Sequence, residues 1–148
     1  MKREEAIQKE LIGAFGYLDG AVRIQRERRM YVDVDYPRFA EVFDHAIYRL
    51  GFTMLCTITG LDEGERFGAI YHLADKDGIV LNVKTTVPRE KPVIHTVMNR
   101  FPAAEIYERE LIDLLGFQVE DLPDGKRYPL PDDWPAGQYP LRKDWKQS

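Results

Sequence analysis

The sequence predicts an α+β fold: two layers, with a mixed sheet of about five strands and helices on one face. Three observations carry this reading. Two segments repeat apolar residues at helical spacing, and five shorter ones are rich in β-branched residues or alternate with a period of two. Their order is helix, strand, strand, helix, then three strands, followed by a further helix and a proline-rich tail. The chain has 148 residues, of which 44% are hydrophobic, enough for one folded core.

Ile7, Leu11, Ala14 and Leu18 share one helical face, and Gly20 ends that first helix. Val22 and Ile24 alternate with polar residues, as do Met30, Val32 and Val34. Glu27-Arg28-Arg29 fits the exposed turn of a hairpin between them. Asp35 and Pro37 suit the start of a second helix, from about Tyr36 to Leu50, with Phe39, Phe43, Ala46, Ile47 and Leu50 as its buried stripe and Gly51 as its stop. Strands are expected at 52–59, 67–73 and 79–87, separated by turn-forming residues. The stretch 92–99 is ambiguous, its Val93, Ile94 and Val97 being compatible with a turn or two of helix. A stronger helix runs from Pro102 to Leu115, with Ala104, Tyr107, Leu111, Leu114 and Leu115 apolar and Gly116 as its stop.

The texture then changes. Five of the nine prolines fall in the last 32 residues, at 123, 129, 131, 135 and 140, so regular backbone pairing cannot run through them. Yet Phe117, Tyr128, Trp134, Tyr139 and Trp145 lie there too, which a solvated linker would not need. An extended strap that packs on its own domain or on another protein is expected. The sequence therefore divides into a core at 1–116 and a docking tail at 117–148.

Composition narrows the function. A net charge of −4 argues against a duplex-tracking surface. The charged first ten residues do not form a signal peptide, and the uncharged stretch 50–61 is too short to span a bilayer. One cysteine builds neither a disulfide nor a cysteine-rich metal site, and Cys56 reads as a buried small hydrophobe between Met54 and Ile58. His45, His72 and His95 share no metal spacing. Ser148, the only serine, is terminal and a poor nucleophile candidate. Gly60, Gly64 and Gly68 do not form a phosphate loop and sit among Asp62, Glu63 and Glu65. No catalytic, cofactor or metal residue emerges.

The segment from Glu105 to Asp113 is more informative. Glu105, Arg109 and Asp113 are spaced by four, which places Arg109 between two acids on one helical face. Exposed pairs of this kind contribute only about 0.3–0.5 kcal/mol each, so a positioning or interface network is the stronger reading. In the tail, Trp134 and Trp145 with Arg142 make the anchor-plus-charge composition of a protein interface. Asp132, Asp133 and Asp144 oppose nucleic acid.

The run Glu108-Arg109-Glu110-Leu111-Ile112-Asp113-Leu114-Leu115-Gly116-Phe117 resembles the signature helix of the 30 kDa subunit family of respiratory complex I, the NADH–quinone oxidoreductase. Pro123-Asp124, Lys126-Arg127, Leu130-Pro131-Asp132-Asp133-Trp134 and Pro140-Leu141-Arg142-Lys143-Asp144 continue the likeness in order. Where the family commonly has Gly-His-Pro, this protein has Asp121-Leu122-Pro123, which looks more like the related subunit of energy-converting nickel–iron hydrogenases. The resemblance implies a non-catalytic subunit of the peripheral arm of a membrane-associated complex, on the cytoplasmic side. It implies no cofactor in this chain. Iron–sulfur clusters, with flavin or nickel–iron according to the branch, belong to partner subunits. The implied partners are the hydrogenase-like large (49 kDa-type) subunit and the small iron–sulfur subunit. Glu108, Arg109, Glu110, Asp113 and Gly116 would organise the helix and its contacts, and Trp134, Leu141, Arg142, Lys143 and Asp144 would fasten the strap. A stand-alone enzyme using carboxylate acid–base chemistry is the contrasting reading.

Overall fold

The computed structural model describes residues 2–147; Met1 and Ser148, the serine considered above, lie outside the described residues. The elements are α1 (Lys2–Ala14), β1 (Val22–Arg26), β2 (Arg29–Asp33), α2 (Tyr36–Tyr48), β3 (Met54–Asp62), β4 (Arg66–Ala74), β5 (Val80–Pro88), β6 (Val93–His95), α3 (Ala104–Leu115) and β7 (Gln118–Glu120). Five strands form one sheet in the order β1-β2-β5-β4-β3. The sheet is mixed, since β1 runs antiparallel to β2 while β2 runs parallel to β5, with Met30 opposite Leu81 and Val32 opposite Val83. The α+β class and the order of helices and strands through β5 are as the sequence predicts.

The residues cluster into two compact units. The first holds α1 to α2, the start of β3, and the segment Ile70–Thr85. Its core is apolar and aromatic: Phe39 and Phe43 of α2 meet the Tyr71 ring of β4 at 4.6 and 5.3 Å between centroids. Leu11, Met30, Val32, Leu73 and Leu81 are completely buried with them. Two expectations change here. The first helix ends at Ala14, beside two glycines that weaken its last turn, and Leu18 reaches the core from a separate 3₁₀ turn at Gly16–Leu18. Asp35 stands at the N-cap of α2 but its carboxylate caps nothing; its carbonyl accepts the Arg38 N–H instead.

Cys56 is a clear correction, because it is exposed and not part of the core. Its strand is the last in the sheet, so the side-chain alternation continues past the covered surface. Met54 is exposed beside it, and burial resumes only at Ile58.

The second unit gathers Ile58–Ala69 and everything from Thr86 onward. Here 92–99 is not helical. Val93–His95 forms β6, paired in parallel with β7 as a second, two-stranded sheet, with Ile94 opposite Val119. The sequence reading missed β7 because three residues after a helix stop show too little alternation to register. α3 ends as expected at Gly116, whose φ of 85° is the left-handed cap that returns its N–H to the Ile112 carbonyl. Helix α3 seats on β3 through Gly60. A β-carbon there would overlap the Leu115 side chain and stand 2.7 Å from Leu111 Cδ2, so any larger residue would force both leucines to shift.

Candidate functional site

Helix α3 is amphipathic, with Ala104, Leu111 and Leu115 buried, but its charged residues are not left to solvent. Glu108 is fully buried. It accepts the Thr96 hydroxyl at 2.6 Å and the Val97 N–H at 2.8 Å, and so pins the segment after β6 to the helix. Burial pushes its carboxyl above the usual range, and those two hydrogen bonds oppose the shift. Thr96 also accepts the Met98 N–H at 3.1 Å, which closes a small fully bonded network.

Arg109 does not sit between two acids. It pairs with Glu105 at 3.5 Å, but its Nη2 donates to the Pro123 carbonyl at 2.6 Å. The guanidinium lies against Gly125, where a β-carbon would stand 2.5 Å from Nη2 and 2.8 Å from Cζ. Asp113, the other expected partner, is buried and takes Arg127 at 3.5 Å and the Leu130 N–H at 3.2 Å. The strap competes successfully because it supplies backbone groups that would otherwise lie unpaired against the helix.

The same pattern continues along the helix. The Leu141 N–H donates to the Leu114 carbonyl at 2.9 Å, and Arg142 Nε donates to the Leu115 carbonyl at 2.7 Å. These are the orphan carbonyls of the last helical turn, satisfied from the far end of the sequence. The Arg142 guanidinium lies 4.3 Å from the Tyr139 ring centre and 5.1 Å from that of Phe67, and a side chain at Gly116 would collide with it. Phe67 also packs on Phe117 at 5.6 Å.

A second fastening point centres on Asp62, which the sequence did not single out. Asp62 is buried at the end of β3 and accepts the Lys143 N–H at 2.7 Å, the Gly64 N–H at 2.9 Å and Arg89 Nη1 at 3.0 Å. Arg89 reaches on to Asp144 at 2.9 Å. Burial alone would raise the Asp62 carboxyl, but the Lys143 and Gly64 amides and the Arg89 guanidinium outweigh it and hold the group at about 2. The Asp62-Glu63-Gly64 turn was legible as a turn. Its long-range partners 27 and 81 residues away were not.

Between these anchors the strap carries an aromatic pair. Trp134 and Trp145 lie 6.1 Å apart, and Gln138 fixes both indoles, its carbonyl accepting Trp134 Nε1 at 2.8 Å and its side chain accepting Trp145 Nε1 at 3.1 Å. The Trp134 carbonyl takes Arg127 at 2.7 Å. Beside the rings is an open cavity of about 330 Å³ lined by Trp134, Pro135, Gln138, Trp145, Lys146 and Gln147. Leu141 and Tyr128 remain exposed, as does Ile106 on α3. Glu110 is half-buried on the same helix. Among the named residues, Arg109, Asp113, Gly116, Trp134, Arg142, Lys143 and Asp144 thus meet through the strap, Leu141 contributes its backbone, and Glu108 acts inward.

The remaining chemistry-bearing groups lie apart. His45 faces Glu10 at 3.5 Å, His72 bonds Asn82, and His95 pairs with Asp121 at 2.6 Å. Among the described residues, no group of three or more His, Cys, Asp or Glu side chains is placed to hold a metal ion. Among them too, no helix is long and apolar enough to cross a membrane.

Residues 32–148 match the family described as the respiratory-chain NADH dehydrogenase 30 kDa subunit. The chain belongs to that family. A relative from Methanosarcina mazei, a subunit of F420H2 dehydrogenase, is 34% identical over 95% of this chain and 90% of its own length. NADH-quinone oxidoreductase subunit 5 of Thermus thermophilus is 35% identical over 78% of this chain and 61% of its own. Formate hydrogenlyase subunit 5 of Escherichia coli is 36% identical over 86% of this chain, which spans only 23% of that longer protein. Among solved structures, a polypeptide of the archaeal membrane-bound sulfane sulfur reductase, a respiratory membrane complex, superposes with a TM-score of 0.83 at 29% identity. The match covers 96% of this chain and 85% of that one. The trypsin-resistant fragment 1–134 of Nqo5 superposes with a TM-score of 0.69 at 30% identity, over 83% of this chain and 99% of the fragment. The family's two-layer α+β domain is therefore the scaffold on which this 30 kDa-type subunit builds its strap.

Proposed function

We propose that this protein is a non-catalytic assembly subunit in the peripheral arm of a complex I-like, membrane-associated oxidoreductase. It seats against the hydrogenase-like large subunit and beside the small iron–sulfur subunit, on the cytoplasmic side, held to the membrane through its partners. One observation supports this above the others. Arg109 and Asp113 of α3, with the Leu115 carbonyl at its end, spend their hydrogen bonds on the protein's own strap, at Pro123, Arg127, Leu130 and Arg142. The result is a rigid, pre-ordered surface with exposed Leu141 and Tyr128 and a tryptophan-lined cavity, which lowers the entropy cost of docking. Redox groups, in this reading, belong to the neighbours.

The energy-converting hydrogenase version is a second reading. It is favoured by Asp121-Leu122-Pro123 and by the similarity to formate hydrogenlyase subunit 5. Tagging the full-length protein, extracting membranes in mild detergent and identifying the co-purifying subunits tests both. Recovery of a hydrogenase-like large subunit supports the assembly role. Nickel-binding cysteines in that subunit select the hydrogenase branch, and their absence selects the quinone branch. Substrate turnover by the isolated protein, or recovery of membrane complexes without it, would overturn the proposal.

A further inference from the structure

The β1–β2 hairpin belongs to the first unit and carries charge that the fold does not use. Arg23, Arg26, Arg28 and Arg29 fall within seven residues, with Glu27 the single acid among them, in a protein of net charge −4. Among the described residues, none of the four guanidiniums lies within ion-pair distance of a carboxylate. Arg23 stacks over Tyr31 at 4.4 Å, and Arg29 Nη1 reaches the Arg28 carbonyl at 2.8 Å.

The placement works against the hairpin itself. The register sets Arg26 directly opposite Arg29, a like-charge pair across the strands. The turn between them is Glu27-Arg28, with Arg28 at a φ of 62°, a conformation that glycine or asparagine adopts more easily. Buried Glu4 tethers the turn by accepting the Arg28 N–H at 2.9 Å and attracts the Arg28 charge, but forms no ion pair with any of the four guanidiniums. A hairpin shaped for stability alone would carry Asn-Gly at the turn and opposite charges across it. Local rules broken together without a folding return mark a binding element.

We propose that this hairpin is a docking element for a carboxylate-rich segment of a partner protein. All four cations are arginines, whose planar forks engage carboxylates in pairs and are more weakly hydrated than lysine. An anionic bilayer fits less well. Val22, Met30 and Val32 are buried, and the exposed large apolar residues lie elsewhere, so the hairpin has nothing to insert. Nucleic acid fits less well too, because the hairpin's single aromatic ring, Tyr31, is already covered by Arg23. The proposal rests on the hairpin alone and is independent of the strap reading above.

The test titrates the full-length protein, at low salt, against a labelled glutamate-rich peptide, phosphatidylglycerol vesicles and a single-stranded oligonucleotide. The parent should bind the peptide, with affinity falling steeply as salt is added. R26E/R29E, which keeps a like-charge pair and reverses only its sign, should lose at least about tenfold in peptide affinity. Lys91→Glu, at an exposed lysine outside both the hairpin and the strap, should bind as the parent does. Arg26→Gln should weaken binding while leaving the melting temperature unchanged or raised, since cross-strand repulsion is relieved; a merely structural arginine would lower it. No peptide binding by the parent, equal binding by R26E/R29E, or tighter binding to vesicles or oligonucleotide would overturn the proposal.

Discussion

Replacing Asp62 with asparagine should release the end of the strap while leaving the fold intact. Asp62 receives the Lys143 amide, the Gly64 amide and Arg89, and Arg89 holds Asp144. A carboxylate held at about 2 rather than 3.8 stabilises the folded state by about 2 kcal/mol at neutral pH. The sign follows from the direction. This contribution is fully present above the ordinary carboxylate value and is lost as pH falls from there through 2. Asparagine removes the charge at every pH and turns one acceptor into a donor facing donors. If the loss of about 2 kcal/mol falls on local opening of the strap, the open population rises about thirtyfold. Limited trypsin cleavage at Arg142 and Lys143, followed by mass spectrometry at neutral pH, reads that population directly. The parent should approach the variant's cleavage rate as pH is lowered, provided a protease active in acid replaces trypsin. Equal cleavage of variant and parent at neutral pH would refute the claim that Asp62 is the strap's anchor.

Gly60→Ala should destabilise the second unit by about 1–3 kcal/mol in urea unfolding, because the added carbon overlaps Leu115 and crowds Leu111. Glu108→Ala should cost about 2–4 kcal/mol in the same assay, since it leaves the Thr96 hydroxyl and the Val97 N–H buried without their acceptor. Glu108→Gln should be milder, because the hydroxyl rotates to accept while the amide oxygen keeps Val97. Stability of the parent should also fall as pH rises past the ordinary glutamate value, since the Glu108 carboxyl is raised in the fold, and Gln should remove that dependence. Arg109→Ala and Gly125→Ala should act alike, both unseating the guanidinium from the strap. Each should reduce pull-down of the large subunit more than it lowers the melting temperature, and equal pull-down would show that this contact does not serve assembly.

The sequence made the elements legible wherever period and punctuation agreed. Phe39, Phe43, Ala46 and Ile47 drew α2, and Gly116 ended α3 because only a left-handed residue continues the backbone there. It failed at short or one-sided pieces. β6 and β7 are three residues each and exist only because they pair with one another across about 25 residues of sequence. Cys56 shared the alternation of a core strand, but alternation says which side a residue faces and not whether anything covers it. The candidate residues were found by type. Their partners were not, since Arg109 chose Pro123 over Asp113 and Asp62 chose Lys143, and such pairings depend on where a proline-rich tail returns.

That return changes what the signature helix means under the assembly reading. A conventional interface residue loses its partner when mutated. Arg109, Asp113 and Arg142 instead lose a segment of their own polypeptide, because their hydrogen bonds end on Pro123, Leu130 and Leu115. Their influence on a neighbouring subunit would pass through the position of Trp134, Tyr128 and Leu141, which those bonds help to fix. The two cases separate experimentally. Truncation after Leu130, combined with Tyr128→Ala, removes the tryptophan pair, Leu141 and the exposed Tyr128 ring but spares the Asp113–Leu130 and Arg109–Pro123 bonds. If the helix residues act through the strap, then Arg109→Ala added to the truncated protein should weaken large-subunit retention no further, a non-additivity that direct contact would not produce. A further loss in the double variant would place Arg109 itself against the partner.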